Sequence, residues 1–298
     1  MIESKYESHK PSYYKVWDSK QKAIRKMFGN WEESYQRLQK LLMTYIDQDP
    51  TTQVIYRTAP TSEDDTVFLH YVFWSFGPCI DRFKYCKSVI SIDGTYLYGK
   101  YQEKLLVIMA TDANNKVFPF AFVVVDCESR SSWRWFLQCL RDTIDHMIPD
   151  EDICIISDRN LELDSKVSSV ESGICYSGSK IDTIMESIKQ VEIEAIMNKK
   201  KVMGKDSKEK DFLPYTYLVS KSVDMWTQSH DGGKYFGVMT TNISKCFNGV
   251  LKGARGLPIA AMIKFTWSKL VEYFYNRHKE ITYKLLEGKK LSTYAFSM

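Results

Sequence analysis

With 298 residues, 44% of them hydrophobic and 14% aromatic, the chain is long enough to bury a substantial core as one large domain or two small ones. A formal net charge of +4, from 41 Lys and Arg against 37 Asp and Glu, permits contact with nucleic acid without identifying it. Seven cysteines with no C-x-x-C pair indicate neither a disulfide framework nor a zinc knuckle, which favours a reducing compartment.

The first residues are polar and Tyr/Lys-rich without a period, so residues 1–18 are expected to be poorly ordered. They also lack the apolar region of a secretory signal. From Ser19, SKQKAIRKMFGN reads as a short helix closed by Gly29, and Trp31, Tyr35, Leu38, Leu42 and Tyr45 recur at helical steps after it. Residues 19–48 are therefore a predicted helical hairpin.

Residues 50–88 alternate apolar and polar positions around Val54, Tyr56, Val67, Leu69 and Val72, which predicts two or three strands leading into a loop at Gly77 and Pro78. Three strands follow, Lys87 to Leu97, Lys104 to Ala113 and Val117 to Asp126, the last two joined by the turn Asn114-Asn115. Val117 to Val125 is the longest apolar stretch. It is about half the roughly 18 residues of a membrane span, and Pro119 interrupts it, so no span is expected.

Trp133, Phe136, Leu137, Leu140 and Ile144 then form a helical stripe opened by Ser caps, and DICIISD, Asp152 to Asp158, is a short β-branched strand. Three strands, a helix and a further strand make an α/β layer. The pattern weakens from Leu161, and Asn198 to Asp211 is a charged low-complexity stretch that reads as a solvated loop. Helical spacing returns at Asn242. Pro258 then opens a long amphipathic helix through Ile259, Met262, Ile263, Leu270 and Phe274.

Asp93 sits in VISIDGTY, where a β-branched run meets Gly94, and Asp158 ends CIISD. Two carboxylates at the ends of strands in one layer suit two-metal phosphoryl transfer, which needs a third acid nearby. The same residues also read as turn-forming or capping acids, the reading that strand position alone favours.

Residues 83–140, from FKYCKSVISIDGTYLYGKYQEKLLVIMATDANNKVFPFAFVVVDCESRSSWRWFLQCL, together with ICIISDRN, resemble the Mutator-like element (MULE) transposase domain, with its D-G-T, D-x-N, P-x-A-F, S-W-x-W-F and S-D-R elements in order. Residues 231–277 resemble the later part of the same proteins, and KAIRKMFGNWEESYQRL the region just upstream. The resemblance implies an α/β, ribonuclease-H-like mixed sheet with flanking helices, a helical N-terminal hairpin and a long C-terminal helix. It also implies an Asp, Asp, Glu triad working with Mg²⁺ on DNA at transposon terminal repeats, a nuclear location and a homo-oligomer. It divides the chain into the disordered 1–18, the hairpin 19–48, the first part of the core 49–160, a divergent or inserted segment 161–218 and a helical part 219–298.

Carried over residue by residue, Asp93 matches the first acid and Asp158 the second, both as catalytic residues and metal ligands. The family's Glu lies in N-x-x-E-x-x-N, and the matching segment here runs from Asn242 to Asn248 with Lys245 in the Glu position. An ammonium group does not ligate Mg²⁺ and repels it at close range. Asp224, Asp231 or Glu272 are the substitutes to consider. The family's C-x-x-H segment after the second acid has no counterpart, and no zinc module is recognised before Ser19 or after Arg277.

Three smaller candidates have a structural alternative. Trp133 and Trp135 suit base stacking, although Trp133 also fits the buried stripe. Lys199 to Lys201 read as a backbone-binding patch or a solvated loop. Lys252 and Arg255, in VLKGARG, are candidate phosphate contacts, against a helix C-cap role for Lys252. The expectation is a transposase-derived protein of impaired catalysis. The alternatives are an active Mg²⁺-dependent transposase using another third acid and a protein-interaction scaffold.

Overall fold

Helix α1, Tyr13–Phe28, begins before Ser19, because Tyr13, Trp17 and Ile24 continue one helical face upstream of the charged run. Gly29, at φ 87°, ends it, its N–H bonded to the Arg25 carbonyl, and Asn30 caps helix α2, Trp31–Gln48, by accepting from the Trp31 N–H at 2.8 Å. These coordinates are a computed structural model, described for residues 11–60, 67–145, 153–157, 174–176 and 242–288. Asp158, Asp224, Asp231 and the charged stretch 198–211 lie outside the described residues.

Strands β1, Gln53–Pro60, and β2, Val67–Ser75, form a hairpin. A helix, α3 at Gly77–Phe83, then stands where a loop is predicted. Pro78 in its first turn forfeits an N–H that has no partner inside a helix, so the Gly-Pro pair opens an element here instead of interrupting one.

Strands β3, Cys86–Tyr96, β4, Lys104–Asp112, and β5, Val117–Val125, form an antiparallel meander. Helix α4, Arg130–Asp145, leads to β6, Cys154–Ser157, which lies parallel to β3, and β7, Ile174–Tyr176, pairs antiparallel to β6. The seven-stranded order is β1-β2-β5-β4-β3-β6-β7. A parallel partner for β3 requires a crossover, and α4 supplies it. This is the α/β, ribonuclease-H-like mixed sheet that the resemblance implies. The β1-β2 hairpin extends it beyond β5.

The central strands are covered on both faces, which is why β4 and β5 read as near-continuous apolar runs. Trp74, Phe120, Phe122 and Phe136 are fully buried, each contributing about 1.5–3 kcal/mol relative to exposure. Trp133 is core rather than a base-stacking surface, and Trp135 packs on Tyr71 at 5.2 Å. At the start of α4, Ser129 Oγ accepts from the Ser132 N–H while Ser132 Oγ accepts from the Ser129 N–H, a reciprocal cap.

Helix α5, Asn242–Val250, a 3₁₀ turn, Leu251–Gly253, and helix α6, Ile259–Leu286, complete the described chain. The N-terminal hairpin is built into the core. Leu38 and Leu42 of α2 join the main cluster, and Ser34 Oγ accepts from the Ala260 N–H of α6 at 2.9 Å. Among the described residues, no helix is long and apolar enough to cross a membrane. Among the described residues, Cys79, Cys86, Cys127, Cys139 and Cys246 are free thiols.

Candidate active site

Alternate residues of a strand share a face, so Ser91, Asp93 and Thr95 form a polar row on one side of β3. Each is bonded by one residue of the segment from Ser244 to Arg255. Ser244 Oγ donates to Ser91 Oγ at 2.8 Å, Asn248 Nδ2 donates to Asp93 Oδ2 at 2.7 Å, and Arg255 Nη1 donates to Thr95 Oγ1.

The spacing has a simple geometric basis. Four residues of helix rise about 6 Å and two residues of strand about 6.7 Å, so a helix running along β3 meets Ser91 with residue 244 and Asp93 with residue 248. Ser244, Ser91 and Asn248 are all buried. In that setting an unmade hydrogen bond costs more than a made one contributes, so the register of α5 on β3 is specified by these pairs.

Asp93 is half-buried, and Lys245, one residue after Ser244, is exposed in the first turn of α5. No acid stands in that turn to complement the helix dipole. Asp158 is outside the described residues. Its chain neighbour Ser157 pairs with Ile92, the neighbour of Asp93, in the parallel β3–β6 register.

The opposite face of β3 at the same end is closed by a second carboxylate. A Cβ on residue 94 meets Glu128 Oε1 at 2.7 Å and Leu106 Cδ2 at 3.1 Å, so a side chain there displaces the Glu128 carboxylate. Glu128 is 8% exposed and pairs with Lys104 at 3.0 Å, whose ammonium lies 4.5 Å from the centre of the Tyr96 ring. Sequence reading did not single out Glu128 or Asn248. The i, i+4 pair of Ser244 and Asn248 inside a recognised motif is the signal that was available for the latter.

Arg255 is drawn into the structure rather than left as a free surface cation. Its guanidinium lies 5.1 Å from the centre of the Tyr98 ring, and its carbonyl accepts from the Tyr98 N–H at 2.7 Å. Lys252 is exposed in the 3₁₀ turn. Glu272 lies on the surface of α6, paired with Lys269 at 2.7 Å.

Magnesium is held by oxygen donors in near-octahedral geometry, commonly one or two carboxylates with waters and substrate phosphate. Among the described residues no three His, Cys, Asp or Glu side chains are grouped to hold a metal ion, and Oδ2 of Asp93 is already engaged by Asn248. The described residues therefore do not by themselves fit a two-metal centre.

The model of the MULE transposase domain matches residues 89–175, which run from within β3 to within β7. This stretch contains Asp93 and Asp158 and stops short of α5. No curated protein and no solved structure matches the chain.

Proposed function

A MULE transposase domain spans residues 89–175 of this chain, and from that premise we propose that the protein is a transposase-derived, DNA-associated factor whose core no longer cuts DNA. Cut-and-paste transposition is phosphoryl transfer, and divalent metal is what supplies charge stabilisation to the attacking and leaving oxygens. The observation that supports loss of cleavage is the place of Lys245. It follows Ser244 and precedes Asn248 by three residues on the helix that those two side chains bond to Ser91 and Asp93. At the position where the family resemblance expects a carboxylate, a cation stands beside this contact.

Asp93 and Asp158 remain as the first two acids, Lys252 as an exposed phosphate contact, and the nucleus and a homo-oligomer as the setting that the reading implies. Arg255 serves chiefly to fasten the segment after α5 to the end of β3. DNA contact survives loss of cutting because phosphate affinity depends on Lys and Arg rather than on the acids.

The test is nicking of supercoiled plasmid with Mg²⁺ or Mn²⁺, beside binding of a labelled duplex. The expected result is salt-dependent binding with no nicking above the Asp93→Ala background. Nicking by the native chain that disappears in Asp93→Ala overturns the impaired reading. A chain that binds no duplex is instead the protein-interaction scaffold.

A further inference from the structure

Helix α1 carries Lys15, Lys20, Lys22, Arg25 and Lys26 against the single carboxylate of Asp18, a net of +4. The formal charge of the whole chain is also +4. All five cations are exposed. At 100° per residue, Lys15, Lys22 and Lys26 lie within a narrow arc, with Arg25 at its edge, opposite Ile24. Ile24 is the buried residue of this helix. The basic arc therefore lies on the side of the helix away from its buried residue.

We propose that this face of α1 binds the phosphate backbone of duplex DNA, an inference that rests on the DNA-associated reading above. Lys15 and Lys26 are separated by about 16 Å along the axis, about the rise of five base pairs. Charge is the only complementarity this needs, since backbone contacts carry no sequence information. An anionic lipid surface is the competing occupant, since Tyr13 and Trp17 on the face of Ile24 are 85% and 46% exposed, and the vesicle arm of the test separates the two. Within the described residues, the one ion pair on the basic face is Lys22 with Asp18 at 2.8 Å, an exposed i, i+4 pair that leaves the net charge in place.

The test is the salt dependence of binding of a labelled 30-base-pair duplex by the full chain, read by fluorescence anisotropy. A variant with Lys15→Gln, Lys22→Gln and Lys26→Gln is compared with one of equal charge carrying Lys40→Gln, Lys264→Gln and Lys279→Gln, all exposed positions. Three lost phosphate contacts lower the slope of log K against log salt by roughly 2.7. They remove a share of affinity that changes about 40-fold between 50 and 200 mM salt. The control variant is expected to keep the native slope. Equal slopes in the two variants overturn the assignment to α1 while leaving DNA association intact. Native chain that binds phosphatidylserine vesicles and not duplex overturns both.

Discussion

The side-chain amide of Asn248 donates to Oδ2 of Asp93 at 2.7 Å, joining helix α5 to the acid at the end of β3 across 155 residues of chain. The amide is buried, so it fixes one carboxylate oxygen of Asp93 in place. Replacing Asn248 with Ala removes a hydrogen bond to a charged group and is expected to cost about 1.5–3 kcal/mol in urea unfolding. Asn248→Asp sets a second carboxylate against the first and costs more at pH 7 than at pH 4, where protonation relieves the repulsion. Equal losses for Asn248→Asp at both pH values would contradict this pairing.

Gly94 is the residue that lets β3 pass Glu128. A Cβ there lies 2.7 Å from a carboxylate oxygen that is 8% exposed and held by Lys104. Gly94→Ala is expected to lose about 1–3 kcal/mol from overpacking. Lys104→Met is expected to lose about 3–5 kcal/mol at pH 7, because it leaves a buried carboxylate without its counter-charge. Adding Glu128→Gln to Lys104→Met should recover much of that loss in the same denaturation assay. A double variant no more stable than Lys104→Met excludes the ion pair as the cause.

The sheet and α4 were legible because their patterns are local. β4 and β5 are apolar on both faces, and the stripe from Trp133 to Ile144 repeats at helical spacing, so burial and sequence carry the same information. Helix α3 was hidden by the Gly-Pro pair at its start, whose ordinary reading is a loop. The i, i+4 spacing of Ser244 and Asn248 was legible, but their bonds to Ser91 and Asp93 were not. Polar residues in a helix ordinarily face water, and only tertiary contact between segments some 150 residues apart turns them inward.

Burial raises the pKa of Glu103 above the ordinary carboxylate value of 4.5; the Tyr35 hydroxyl, which donates to it at 2.6 Å, lowers it, and the nearby charge of Asp126 raises it. The folded state thus holds the Glu103 proton more tightly than the unfolded state. Its contribution is fully present below pH 4.5 and is lost as pH rises through the folded value. Tyr35→Phe removes the one hydrogen bond that favours the charged form. It should therefore steepen the decline in urea midpoint above pH 4.5, while Glu103→Gln should flatten it. A Tyr35→Phe profile parallel to the native one rejects this coupling.

Lys245→Glu tests the helix and the ancestral site separately. In the first turn of α5, which contains no acid, a carboxylate in place of an ammonium suits the positive end of the helix dipole. Without metal, stability is expected to rise by about 0.3–1 kcal/mol, the ordinary worth of a favourable charge at an exposed helix N-terminus. If residue 245 borders the ancestral metal site, Mn²⁺ should raise the melting temperature of Lys245→Glu more than that of the native chain. That increment should vanish when Asp93→Ala is added, since both acids are then needed. A metal-dependent shift that survives Asp93→Ala places the added carboxylate elsewhere. The metal-free gain by itself would still establish that the native lysine is unfavourable to the helix that carries it.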